Sequence, residues 1–259
     1  MKIELPRLYV DGFPKSGLHL AELMVASLYH PNPRKVWFGT NAWTTEKNNM
    51  DKLAALATID KGHYMKGHSG YDAEFDRMLT GLQIGMVFIY RDLRDVVVSQ
   101  AYHILSSDEH LKHPARELYP NNLQGVMKCV IEGIGDFDGI FPRWMSYEKW
   151  LHKSWVYPVK YDELLKRPHK VAKGFIEYVI SLELYHTNQE QAHIDKEHFH
   201  DTVEHIVKNT RNKGTVTFRK GKAHQWRYEF TPELVELFKE HDTDNMLVRL
   251  GFEKNRNWN

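Results

Sequence analysis

An α/β fold with a central parallel sheet flanked by helices is predicted for this chain, and three observations predict it. Short β-rich or aromatic runs at residues 8–10, 62–66, 86–90 and 155–159 alternate with helical patterns, which implies a parallel sheet covered on both faces. The first run enters a glycine-bounded loop that opens into a helix. Across all 259 residues no segment has the composition of a linker, so a single domain over residues 1–259 is expected. In such folds the functional sites lie beyond the carboxyl ends of the strands.

The first element is Leu8-Tyr9-Val10, followed by Gly12-Phe13-Pro14-Lys15-Ser16-Gly17. A loop of this kind turns backbone N–H groups toward an anion and sets a helix N-terminus and a mobile lysine at the same point. Gly12 and Gly17 have the spacing of a nucleotide-triphosphate loop, yet Leu18 and His19 stand where Lys and Ser/Thr should follow. The hydroxyl that would hold Mg²⁺ is missing, which argues against a kinase or ATPase. Residues 18–28 carry apolar side chains at helical spacing and read as the buried helix after the loop. Two stretches read as irregular covers, residues 106–122 and the basic residues 210–224. Thr231-Pro232-Glu233 reads as the start of a capped helix.

Charge and composition narrow the class. Lys and Arg number 35 against 34 Asp and Glu, and the signs interleave, so no broad basic face for nucleic acid is expected. Cys129 is the only cysteine, which excludes an internal disulfide framework and suits a reducing cytoplasm. The longest apolar run, residues 84–90, is too short to span a bilayer. The reading is a cytoplasmic protein without a membrane span. Histidines 193, 198, 200 and 205 lie among Glu, Asp and Lys on a predicted helix, and no metal site is expected there.

Five segments occur in a telling order: Pro14-Lys15-Ser16-Gly17; Lys66-Gly67-His68; Arg91-Asp92-Leu93-Arg94-Asp95-Val96-Val97-Val98-Ser99; Tyr161 to Pro168; and Phe218-Arg219-Lys220-Gly221 followed by Trp226. The series resembles the cytosolic sulfotransferase family, whose fold is a P-loop-kinase-like parallel sheet and whose co-substrate is 3′-phosphoadenosine 5′-phosphosulfate. The family strings are P-K-S-G-T-T-W, K-T-H, R-N-P-K-D-V-A-V-S and R-K-G-x-x-G-D-W-K. The order and the eight-residue step from Arg91 to Ser99 make the match specific.

The resemblance implies metal-free transfer of a sulfuryl group to a hydroxyl, or an amine, of a small-molecule or glycan acceptor. Such a transfer is mainly in-line positioning and charge neutralisation. Lys15 would neutralise the leaving 5′-phosphate, with backbone donors of Ser16, Gly17, Leu18 and His19 around it. Lys66 would hold the sulfuryl oxygens, and His68 would be the general base, a role suited to an imidazole. Arg91, Ser99, Arg219, Lys220 and Gly221, beside Phe218, would surround the 3′-phosphate. Tyr161 resembles the adenine contact. Read from the residues themselves, Asp92 would cap the helix carrying Ser99, and Arg94 would pair with Asp95.

The chain departs from the family at the adenine. Leu20 stands where a stacking tryptophan is expected, and Val203 where a second aromatic is expected, so an aliphatic slot is predicted around the base. The resemblance would also imply a homodimer, but residues 227–236 carry Pro232 in place of Val and match the dimer string only in part. An ATP-using kinase and a nucleotide-binding module without catalysis are the alternatives. The acceptor is not readable, because residues 37–43, 106–122 and 137–141 differ most from the family; Trp43, Tyr119 and Phe141 would suit a phenol, a flat lipid or a sugar ring.

Overall fold

The computed structural model describes residues 4–32, 38–39, 49–188, 196–210 and 222–259. In chain order its strands are β1 (Arg7–Gly12), β2 (His30–Pro31), β3 (Phe38–Gly39), β4 (His63–His68), β5 (Ile84–Tyr90), β6 (Gly133–Ile134), β7 (Phe137–Asp138) and β8 (Val156–Lys160). The helices are α1 (Leu18–Ala26), α2 (Asn49–Leu56), α3 (Ala73–Gly81), α4 (Leu93–Ser106), α5 (Pro114–Leu118), α6 (Leu123–Glu132) and α7 (Ile140–Glu148). They continue with α8 (Tyr161–Lys166), α9 (Pro168–Thr187), α10 (Lys196–Thr210), α11 (Trp226–Glu229), α12 (Pro232–His241) and α13 (Met246–Arg249). Two compact units divide the chain, Met1–Tyr90 with Tyr147–Gly221, and Arg91–Ser146 with Lys222–Asn259.

The first unit holds the predicted parallel sheet, in the order β2-β4-β1-β5-β8, with β3 also paired to β4. The central strands β1 and β5 are buried nearly throughout, as strands covered on both faces must be. Register sets Val10 beside Lys66 on one side and beside Val87 on the other. The edge strand β8 carries Pro158 and Lys160, residue types that suit an unpaired edge. All four strands read from the sequence are present, with bounds that differ from the reading by a residue or two at one end or both.

Helix α1 packs on this sheet through Leu18, Ala21, Met24 and Val25, in one cluster with Leu8, Val10, Val87, Ile89 and Phe175. Burying each of the larger side chains contributes about 1.5–3 kcal/mol. The helix ends two residues earlier than its apolar pattern suggests, because the Ser27 hydroxyl donates to the Met24 carbonyl at 2.6 Å and supplies a local alternative to the ladder. Helices α9 and α10 complete the cluster with Val171, Phe175, Val179, Val203, Ile206 and Val207.

In the second unit α4 begins where expected: the Asp92 carboxylate accepts the Arg94 N–H at 3.0 Å. The expected Arg94–Asp95 pair is corrected. Arg94 points back along its own helix start and donates to Asp92 at 2.7 Å and to Glu253 at 2.7 Å. Its guanidinium lies 3.8 Å from the ring centre of Trp226 and 4.4 Å from that of Trp258, a buried cation between two indoles. Residues 106–122 are not uniformly irregular, since they contain a 3₁₀ turn at Asp108–His110 and helix α5, capped by the His113 ring accepting the Ala115 N–H at 3.2 Å. The capped helix at Thr231 is present as α12, its hydroxyl accepting the Leu234 N–H at 3.4 Å. Cys129 is buried.

Because Arg94 is fully buried against two carboxylates and two rings, Arg94→Ala should remove about 3–5 kcal/mol of stability, the usual cost of leaving buried charges unpaired. Urea unfolding followed by tryptophan fluorescence measures it; a loss under about 1 kcal/mol would refute the account.

Candidate active site

The carboxyl ends of β1 and β4 meet at Gly12 and His68, and the loop between β1 and α1 begins there. Gly12 has no room for a side chain: a Cβ would lie 2.6 Å from Ile89 Cγ2 and 3.0 Å from the Ile89 carbonyl. Phe13 N–H donates to that carbonyl at 3.3 Å and Ser16 N–H to the Phe13 carbonyl at 3.0 Å, which closes the loop into a turn. Lys15 adopts φ +68° and Gly17 φ +97°. The left-handed region is costly for a lysine, and such strain is held at functional loops. A Cβ on Gly17 would meet the Tyr161 ring at 2.6 Å, so glycine is required there on two grounds.

This loop fits an anion. Helix α1 starts at Gly17 with no side-chain cap and no acidic residue in its first turn, so its first N–H groups and its dipole are presented bare. Ser16 Oγ is buried without a hydrogen-bond partner among the described residues, an omission that native structures rarely tolerate unless a ligand supplies the partner. The Ser16 N–H, by contrast, is committed to the turn, leaving Gly17, Leu18 and His19 as the backbone donors.

Side chains 64, 66 and 68 share one face of β4 by strand alternation. His68 Nδ1 lies 2.6 Å from the Gly12 carbonyl oxygen. A carbonyl can only accept, so Nδ1 carries the hydrogen and Nε2 presents its lone pair. Burial first, and then Lys15, His19 and Lys66 nearby, press the imidazole down to about 4 against the pull of the Gly12 carbonyl. His68 is therefore neutral at pH 7. Lys66 Nζ donates to both oxygens of Glu22 on α1, at 2.6 and 2.7 Å. The same carboxylate accepts from Tyr64 OH at 3.1 Å and lies 3.3 Å from His19 Nδ1. Burial opposes ionisation of Glu22, but the bonds from His19, Lys66 and Tyr64 prevail and hold its carboxyl near 2.

The segment after His68 is pinned three times. Ser69 N–H donates to Asp11 Oδ1 at 3.0 Å, Ser69 Oγ meets Tyr9 OH at 2.7 Å, and Trp150 Nε1 donates to the Ser69 carbonyl at 2.9 Å. Asp11, fully buried, also accepts the Gly12 N–H at 2.7 Å, and burial raises its pKa well above the usual range. Sequence reasoning missed Asp11 and Glu22; a carboxylate directly before the loop and another one turn into the helix after it were the available signal.

The second unit carries Arg91 and Ser99. Arg91 is buried, donating to Asp95 at 3.2 Å and to the Lys222 carbonyl at 2.9 Å. Asp95 also accepts the N–H groups of His224 at 2.8 Å and Trp226 at 3.0 Å, so His224 and Trp226 are tied to the start of α4. Ser99 is half-buried on α4. Phe218, Arg219, Lys220 and Gly221, together with Trp37, Trp43 and His193, lie outside the described residues.

Leu20, Val203 and Tyr161, the residues expected around the adenine, all lie in the first unit. Leu20 and Val203 are only 9% and 7% exposed and belong to the packed cluster of the first unit, with Tyr161.

Comparison with known proteins decides the family. The chain matches the sulfotransferase domain over residues 6–247. It belongs to the sulfotransferase family. Its fold is similar to that of mouse sulfotransferase SULT7A1 complexed with PAP, at 17% identity and TM-score 0.63, covering 93% of this chain and 84% of that one. Retinol dehydratase, solved with androsterone and the inactive cofactor PAP, aligns at 15% identity and TM-score 0.57, over 93% and 80% of the two chains. The same enzyme with retinol and PAP gives 16% identity, TM-score 0.57 and coverage of 95% and 82%. A sequence search of curated proteins finds no match. Among the described residues of this sulfotransferase no helix is long and apolar enough to cross a membrane, and no group of three His, Cys, Asp or Glu could hold a metal.

Two outcomes follow. Leu20→Trp should overpack the cluster and cost about 1–3 kcal/mol, lowering the melting temperature; an unchanged melt would mean that the slot is open. The His68 and His113 rings, both held near 4, stay neutral in the folded protein while the unfolded chain takes up protons near 6.5. Stability should then fall as pH drops from about 6.5 to 4, and carbon-detected NMR titration should show these two rings titrating below the surface histidines.

Proposed function

We propose that the chain transfers a sulfuryl group from 3′-phosphoadenosine 5′-phosphosulfate to the hydroxyl of a small-molecule acceptor, with His68 as general base. The observation that carries the reading is His68, neutral and hydrogen-bonded through Nδ1 to the Gly12 carbonyl at the start of a loop whose helix has no side-chain cap and whose buried Ser16 hydroxyl lacks a partner among the described residues. The acceptor oxygen forms a bond to sulfur as the bond from sulfur to the 5′-phosphate oxygen breaks. The acceptor proton passes to Nε2. The products are a sulfate ester and adenosine 3′,5′-bisphosphate.

In this reading Lys15 neutralises charge on the leaving phosphate, the N–H groups of Gly17, Leu18 and His19 and the Ser16 hydroxyl bind its oxygens, and Lys66 holds the sulfuryl oxygens. Arg91, Ser99, Arg219, Lys220 and Gly221, with Phe218, bind the 3′-phosphate. Tyr161 contacts the adenine, with Leu20 and Val203 backing it from the core. An anionic donor among Lys15, His19 and Lys66 would offset the charges that depress His68 and raise its basicity toward working pH. Support for a small flat acceptor comes from the retinol and androsterone held by retinol dehydratase; support for the donor comes from PAP in that enzyme and in SULT7A1.

Adenosine 3′,5′-bisphosphate should raise the melting temperature well above the shift given by AMP, and Arg219→Ala should weaken the bisphosphate while leaving AMP nearly unchanged. Equal shifts for the two nucleotides would remove the 3′-phosphate assignment. His68→Ala should lower turnover of a labelled-sulfate acceptor panel by about 10²- to 10⁴-fold with bisphosphate binding retained; a folded variant with full turnover would remove the base.

A further inference from the structure

Glu22 is a carboxylate in a place built for anions, and it holds one of the cations. Its side chain leaves α1 one turn after Leu18, reaches the face of β4 that carries Tyr64, Lys66 and His68, and takes bonds from Lys66, Tyr64 and His19. Its pKa near 2 keeps it ionised across the working range. Both partners of the Lys66–Glu22 pair retain solvent contact, at 30% and 20% exposure, so the pair is open to exchange rather than sealed in the core. The lysine is a long, flexible point charge, and it cannot give its best geometry to Glu22 and to an incoming sulfuryl oxygen at once.

We infer that Glu22 is a competing carboxylate: in the ligand-free protein it stands in for the sulfuryl oxygens on Lys66, and donor binding exchanges the Glu22–Lys66 pair for a Lys66–sulfuryl contact. The inference rests on the donor proposed above. It makes Glu22 a positioning residue that sets how strongly the protein distinguishes the sulfuryl-bearing donor from the bisphosphate product, since only the donor must take Lys66 from the carboxylate. A weakly held donor is the cost of this arrangement. Its gain is that Lys66, paired in the absence of donor, does not remain an uncompensated cation beside Lys15 and His68.

Isothermal titration of the full chain, without acceptor, tests this with 3′-phosphoadenosine 5′-phosphosulfate and with adenosine 3′,5′-bisphosphate. Glu22→Gln keeps the shape and removes the charge. It should tighten the donor by about 3- to 10-fold and the bisphosphate by less than about 2-fold, and the donor's gain should vanish in Glu22→Gln combined with Lys66→Met. If Glu22 only braces the fold, both ligands weaken together, and that result, or an unchanged donor affinity, overturns the inference. Should Glu22→Gln fail to fold, Glu22→Asp, one methylene short of Lys66, must still favour the donor over the bisphosphate, and no such preference also overturns it. A wild-type chain that binds neither nucleotide overturns the proposed donor and this inference together; a wild type that binds both, with no selective shift in the variant, overturns the inference alone.

Discussion

The backbone of Gly12 is the point on which the candidate site of the first unit depends. Its carbonyl fixes the His68 tautomer at 2.6 Å, its N–H is taken by Asp11, and its Cα lies against Ile89 with no space for a side chain. Through Asp11 the same point reaches Ser69, one residue beyond His68. The end of β1 therefore sets both the entry to the phosphate loop and the orientation of the imidazole. A parallel sheet supplies this economy, because neighbouring strands end side by side and their following residues must be reconciled locally.

Charge on this face is balanced rather than simply positive. Burial, and then Lys15, His19 and Lys66, oppose protonation of His68, which makes it a weak base in the absence of an anion. Glu22 offsets part of that field and is itself held ionised by it. Asp11 is buried and pushed toward its neutral form, with its hydrogen bonds opposing the shift. Two carboxylates of the first unit, Asp11 and Glu22, thus have opposite tendencies, set by whether a cation or only backbone N–H groups and a burying core face them.

The sequence announced the parts of the fold whose signals are local. A strand ending in Gly12, a loop with Lys15 and Gly17 and an apolar helix after it form a continuous stretch with its own turn and period, and each was legible. So were the Asp92 and Thr231 caps, which act over two or three residues. The partners of Lys66, Arg94 and Asp95 were not, because they lie 44, 159 and 131 residues away along the chain, at Glu22, Glu253 and Trp226. Arg94 beside Asp95 read as a pair, yet adjacent helical residues do not face each other, so Arg94 turned to the cap residue while Asp95 took Arg91 one turn back.

Leu20 and Val203 show that a position picked out by motif can also be a core position. The residue position after a phosphate loop can coincide with a stacking site in one member of a family and with core in another, because a helix rotates only about 100° per residue and a small change in packing moves a side chain from rim to interior. Here the cluster holds both aliphatic residues with Tyr161, and the tight approach of that ring to Gly17 fixes α8 against the loop. An indole at position 20 would have to displace this packing before it met any base.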